Sequence, residues 1–321
     1  LMLLALAAPF LRARPRLAPI LLLLGFLAAA ALLWQREGLA NPCTRESGYF
    51  CIRVVDRSAD APYGEARGLV LDHLLHGINH AEHPEMLIAP YVHAIDELVY
   101  ARFGPRYDEG LRYFFAGGGS YSQPRAVQAL SPASRVTVAE LDPTVTQTAR
   151  ESLFLDTTGL RILHQDARVS LTREPGPFDV IVGDVFHDVA IPFHLVTREF
   201  AALVRSRLAE NGLYAMNVVD GFPNPGLIRS MVETLRREFR HVDVWMEGMP
   251  RASRVTYVLT ASDGRGPPDH VTARRGFERT WLRVTDVVMR IGVDKAPTPV
   301  LSDDFAPVES LISELLIGQD G

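Results

Sequence analysis

The sequence predicts a doubly wound, Rossmann-like α/β domain built on about seven strands. Three observations carry that prediction. Short runs rich in Val, Ile, Leu and Phe alternate with helical periodicity at the spacing of right-handed crossovers in a parallel sheet. One run, within residues 111–125 (LRYFFAGGGSYSQPR), ends in three glycines followed by a polar segment able to open a helix. That is how such sheets bring backbone N–H groups to a ligand. Acidic residues then end three further strands, at Glu140, Asp166 and Asp184.

Residues 48–71 hold the β-like runs YFCIRVV and RGLVLD around a polar turn, and read as a hairpin or small antiparallel sheet. Residues 85–103 carry apolar side chains near helical spacing and predict a helix covering the main sheet. Strand 111–116 follows, then a helix that Pro132 helps to end. Strand 135–141 (RVTVAEL) precedes a helix with Asp142 as N-cap and Pro143 at its first position. A third short strand, 160–163, ends at His164-Gln165-Asp166. FDVIV (178–182) is nearly all apolar, as a strand buried on both faces should be. Helix 193–208, strand 212–218 and helix 226–239 come next, and strands 241–246 and 254–261 close the sheet as an antiparallel pair. Beyond the Pro-rich connection 264–268, residues 271–321 read as a helical stretch plus LSDDFAPVESLI. The division is an N-terminal anchor (1–37), a small β-region (48–83), the Rossmann-like domain (84–263) and a C-terminal extension (264–321).

With 321 residues, a formal charge of −5 and no basic block in its soluble part, the chain offers no nucleic-acid surface. Residues 17–35 contain no charge and predict a transmembrane helix. The basic loop Arg12, Arg14, Arg16 and a second apolar piece (1–11) precede it, and the chain opens on Leu, which suggests a piece cut from a longer, multi-pass membrane protein. The expected location is the cell inner membrane. The first arginines favour a soluble domain outside the cytoplasm, whereas Arg36, Arg45 and Arg53 weaken that bias. The two cysteines, Cys43 and Cys51, suit either an extracytoplasmic disulfide or two buried thiols. Four histidines in HLLHGINHAEH (73–83) raise the question of a metal site. Gly77 and Pro84 break the helix that would align them and no ligand set is completed, so no metal is assigned.

In an open parallel sheet the ligand lies beyond the carboxyl ends of the strands, where strand order reverses. Gly117-Gly118-Gly119, Glu140, Asp166 and Asp184 occupy four such ends. Glu140 follows the glycines at the spacing from which an acid accepts both ribose hydroxyls of a nucleoside, and Asp166 suits the adenine amino group. GGGSYS is not the dinucleotide pattern and lacks the P-loop lysine. The expected ligand is an adenosine without a pyrophosphate, such as an S-adenosyl sulfonium compound.

Together, GGGSYSQPRAV, VAELDP, Asp166-Ala167, FDVIVGDVFHDVAIPFHLVTREF and RGLVLDHLLHG resemble the spermidine synthase family of polyamine aminopropyltransferases, over about residues 49–261. LSDDFAPVE with the apolar N-terminus is similar to its membrane-bound branch. The resemblance implies an S-adenosylmethionine-dependent transferase fold. It also implies a nucleoside side made of Gly117, Gly119, Ser120, Glu140, Asp166 and Ala167. Asp184 would orient and deprotonate the attacking amine, with Asp188 near the position of a second acid. His76 would face the substrates where the family has a glutamine, and Tyr91 would form a wall. Three positions depart from the family: Ser120 replaces an aspartate, His187-Asp188-Val189 replaces an acid-Pro pair, and Pro84-Glu85 replaces His-Glu.

The reading is therefore a membrane-anchored transferase. It takes decarboxylated S-adenosylmethionine or S-adenosylmethionine as co-substrate, with no tightly bound cofactor, and passes an alkyl group to a small amine or polyamine. A homodimer is compatible with it. Two alternatives stand beside it: an S-adenosylmethionine enzyme catalysing methyl transfer, elimination or cyclisation, and a non-catalytic nucleoside-binding membrane subunit.

Overall fold

Alternate residues of the central strands point to opposite faces of one sheet, and both faces are buried. Phe114, Ala116, Ile181, Tyr214 and Met216 join one apolar core, while Tyr113, Phe115, Val180, Val182, Leu213 and Ala215 join another. Side chains that alternate along a strand can be apolar throughout only when helices or strands cover both faces. The computed structural model describes residues 18–35, 41–185, 191–248, 252–291, 298–313 and 315.

The strands are β1 (Arg45–Glu46), β2 (Cys51–Asp56), β3 (Ala66–Leu71), β4 (Leu74–His80), β5 (Arg112–Ala116), β6 (Arg135–Ala139), β7 (Leu160–Leu163), β8 (Phe178–Gly183), β9 (Leu208–Gly221), β10 (His241–Glu247), β11 (Arg254–Ser262), β12 (His270–Thr272) and β13 (Thr280–Arg283). The first four form an antiparallel sheet in sequence order. The main sheet runs β12-β13-β10-β11-β9-β8-β5-β6-β7. Strands β9, β8, β5, β6 and β7 are parallel and the other four antiparallel. From β5 the chain builds outward through β6 and β7, then returns to place β8 on the other side of β5. The switch point thus lies between β5 and β8, where the site is expected.

The seven-strand expectation is corrected to nine among the described residues. The added pair, β12 and β13, comes from the region read as a helical extension. Val271 and Trp281 face each other in that pair and are both buried, so a single apolar residue per strand suffices to fix it, too little for a sequence pattern. Residues 45–321 accordingly form one compact unit, with 1–44 a second. The turn joining β12 to β13 is also tied to the helix Pro90–Phe103. Arg274 Nε donates to Glu97 Oε2 at 2.6 Å, and Arg275 pairs with Asp96. Burial pushes Glu97 up, but the hydrogen bonds from His93 and Arg274 outweigh it and hold its pKa near 2.

Helix boundaries follow local chemistry. The helix expected from residue 85 begins at Pro90, which disfavours helical geometry at the residue before it. Asp142 caps the helix Pro143–Ser152 by accepting from Thr144 N at 2.8 Å. The helix expected over 193–208 is split into a 3₁₀ turn (Phe193–Leu195) and a helix (Arg198–Arg207) capped by Thr197, which accepts from Phe200 N.

The N-terminal helix spans Ala18–Gln35, 18 residues with no charge, and exposes large apolar side chains such as Phe26 and Leu23. At 1.5 Å per residue it reaches about 27 Å, against a hydrocarbon layer of roughly 30 Å. Among the described residues no helix is long and apolar enough to cross a membrane, so the expected transmembrane span is not found. Residues 1–16, with the basic loop, lie outside the described residues. Cys43 and Cys51 are both disulfide-bonded, so they are not free thiols.

Candidate active site

One pocket gathers residues from the ends of β5, β6, β7 and β8. Gly117, Gly119, Glu140, Asp166, Ala167 and Asp184 line it, with His76 from β4 and Leu71 from β3 on the side of the small sheet. Val185, Pro192, His194 and Leu195 add a further wall.

The glycine turn has a steric cause. Gly117 has φ +91°, and a Cβ there would lie 2.0 Å from the Asp184 carbonyl oxygen. No other residue fits between the ends of β5 and β8. The turn's N–H groups are not left bare for a ligand, however. Gly118 N and Gly119 N donate to Glu140 Oε2 at 2.8 and 3.3 Å, and Asp142 N donates to Oε1 at 2.9 Å. A carboxylate offers about four acceptor positions, so one on Oε1 stays available for a hydroxyl. Burial raises the pKa of Glu140, while the three N–H donors pull it down and the Asp142 charge raises it further.

Asp166 caps the helix Ala167–Arg173 by accepting from Val169 N at 3.0 Å. Its second oxygen lies 2.8 Å from His194 Nε2. Partial burial pushes this carboxyl up, but Val169 N–H and His194 outweigh it and hold it below the usual range.

Asp184 is a strongly perturbed acid. Burial pushes its pKa up to about 6, the Tyr91 hydroxyl and the Asn217 amide oppose that, and the nearby Glu140 charge adds to it. Tyr91 Oη lies 3.1 Å from Asp184 Oδ2 and 3.0 Å from the His76 carbonyl. Tyr91 has one proton for two acceptors. When Asp184 is protonated it can donate to Tyr91, which then donates to His76, and the chain is complete.

No family model matches the chain. A polyamine aminopropyltransferase of Vibrio vulnificus is 34% identical over 110 residues, covering 33% of this chain and 37% of that protein. Polyamine aminopropyltransferase 2 of Pseudomonas aeruginosa is 29% identical over 216 residues, covering 63% and 57%. The matches thus span about one third to just over half of these curated relatives. The crystal structure of a probable spermidine synthase from Corynebacterium glutamicum superposes with a TM-score of 0.67 at 20% identity, over 82% of this chain and 96% of that one. These comparisons support the resemblance to the spermidine synthase family. The last comparison shows the fold.

The other half of the pocket departs from the expectation. Ser120 does not line the pocket, contrary to its assignment to the nucleoside side. Its Oγ lies 2.7 Å from Ser122 Oγ, which donates to Asn79 Oδ1, while Asn79 Nδ2 donates to the Ser120 carbonyl. The side chain is spent joining the turn to β4. Burial holds the His76 pKa down near 4, with Asp72 opposing, so His76 faces the pocket as a neutral ring. Asp188 lies outside the described residues.

Two residues that contact the site's carboxylates escaped sequence reasoning. Asn217 lies in β9 and hydrogen-bonds Asp184; a polar residue inside LYAMNVV, a buried apolar run, was the available signal. His194 sits in the 3₁₀ turn where a continuous helix was expected. The four-histidine segment is resolved too, because it forms strand β4 and not a helix. His80 Nε2 donates to the Tyr63 carbonyl at 2.7 Å, and its Nδ1 accepts from Glu82 N and His83 N. Both nitrogens are used, and among the described residues no group of three or more metal-binding side chains occurs.

Proposed function

We propose that this chain is a transferase of the polyamine aminopropyltransferase type. It binds an adenosyl sulfonium compound and moves its alkyl group to an amine. The observation that carries the reading is Asp184, a carboxylate held near neutrality in the same pocket as the nucleoside-type acids Glu140 and Asp166. Glu140 would accept a ribose hydroxyl and Asp166 the exocyclic amino group. The amine nitrogen attacks the carbon beside the sulfonium, an N–C bond forms as the C–S bond breaks, and the thioether leaves as methylthioadenosine. The proton lost by nitrogen passes to Asp184. Alignment of nitrogen and carbon supplies much of the acceleration, and Tyr91 with Asn217 fixes the base for it.

Mass-spectrometric analysis of a reaction with decarboxylated S-adenosylmethionine and putrescine tests the reading directly. Spermidine and methylthioadenosine should appear in equal amounts. A folded chain that yields neither with this or other amines overturns it.

A second reading, methyl transfer from S-adenosylmethionine, draws support from Ser120. At that position the pocket has no acid to hold an aminopropyl ammonium group, and the serine hydroxyl is engaged elsewhere. A cell inner-membrane location is a separate proposal, supported by the exposed apolar helix Ala18–Gln35. Recovery of the whole chain in the soluble fraction after lysis would sink it.

A further inference from the structure

The carboxylate suited to the nucleobase already has a partner from the protein itself. His194 Nε2 lies 2.8 Å from Asp166 Oδ2, while Oδ1 serves the helix by accepting from Val169 N. An ionised carboxylate only accepts, so the imidazole nitrogen facing it carries the proton. The exocyclic amino group of adenine is a donor of the same kind, and it would seek the same oxygen.

The backbone that presents His194 is braced from outside the pocket. Arg168 Nη1 donates to the His194 carbonyl at 3.1 Å, and both guanidinium nitrogens of Arg168 donate to the two Asp303 oxygens at 2.7 Å. Asp303 also accepts from the Thr197 hydroxyl at 2.7 Å. The LSDDFAPVE segment therefore fixes the turn, whereas the imidazole, 34% exposed, can leave Asp166 by rotating about its own side-chain bonds.

We propose that His194 is a displaceable internal donor, a positioning residue that holds Asp166 until the amino group of an adenine ring takes its place. This rests on the reading of the pocket as an adenosyl site. The ligand must break the His194–Asp166 contact before it gains its own, so the histidine sets the affinity for adenine below what the carboxylate alone would give. A base with no N–H on that edge, such as unsubstituted purine, has nothing to exchange at Asp166 and is indifferent to the contact.

Calorimetric titration of the full chain with 5′-methylthioadenosine and with its analogue carrying unsubstituted purine in place of adenine tests this. His194→Ala should bind the adenine compound about 5- to 10-fold more tightly, the scale of one hydrogen bond to a charged group. Its affinity for the unsubstituted purine compound should change little. A merely structural role would move both in parallel. Weaker or unchanged adenine binding by His194→Ala, with wild type binding normally, overturns this inference alone. Wild type binding neither compound overturns the adenosyl reading and this inference with it. Should melting curves show that His194→Ala is unfolded, His194→Phe, which also lacks a donor, is judged by the same two outcomes.

Discussion

Replacing Asp184 by Asn should lower turnover by at least about 100-fold, the lower end of what a positioned general base contributes. The affinity for methylthioadenosine should stay within a few-fold, since the assigned nucleoside contacts are at Glu140 and Asp166. Asn keeps the shape and can still accept from Tyr91, so the loss isolates proton acceptance. The pH dependence gives an independent reading. Asp184 must be ionised to take the proton, and burial places its pKa at about 6. Wild-type turnover at saturating substrate should therefore rise with pH and level off above about 6, and residual Asn-variant turnover should lack that limb. Stability should move the opposite way. The folded-state pKa is raised above the ordinary carboxyl value of 3.8, so the protonated carboxyl contributes stability that is fully present below about pH 4 and is lost as pH rises through about 6. Above that range Asp184→Asn should melt no lower than wild type, as is common where a site holds a group for chemistry at the expense of stability. Rates and melting curves between pH 4 and 8 check both statements.

The second large effect is expected at Glu140. Its two oxygens accept three backbone N–H groups, two from the glycine turn and one from Asp142. Glu140→Gln replaces one acceptor oxygen by an NH₂ that points at donors, whichever way the amide is turned. At least one buried N–H then loses its partner, which costs about 1–3 kcal/mol. The glycine turn should loosen and the ribose contact should weaken together. Methylthioadenosine affinity should fall by about 100-fold if both losses act, at 1.4 kcal/mol per factor of ten. Urea unfolding and calorimetry on the same sample would separate the two. Binding that survives in a destabilised variant would mean that Glu140 only braces the turn.

Much of this was legible in the sequence because it is local. A run such as FDVIV declares a strand buried on both faces, Asp142-Pro143 declares a helix start, and strand ends declare where a ligand can lie in a doubly wound sheet. Glu140, Asp166 and Asp184 were found by that logic, and the fold brings all three to one pocket. What stayed hidden depends on partners far along the chain. Asp303 meets Arg168 from 135 residues away and Arg274 meets Glu97 from 177, so neither the bracing of His194 nor the docking of β12 and β13 leaves a local pattern. Ser120 was misplaced for a related reason. The sequence put it on the glycine turn, but its hydroxyl meets Ser122 and its carbonyl accepts from Asn79 of β4. The glycine turn was read as open backbone for a ligand, whereas two of its N–H groups are aimed at Glu140.

The central claim is that the glycine turn, Glu140 and Asp166 form an adenosyl site that shares its pocket with a base. Titrating 5′-methylthioadenosine into the wild-type chain, with Glu140→Gln alongside, tests it most directly. The account predicts saturable binding of one molecule per chain, a higher melting temperature with ligand, and loss of most affinity in the variant. A folded wild-type chain that takes up no ligand and melts at the same temperature with and without it would contradict the claim.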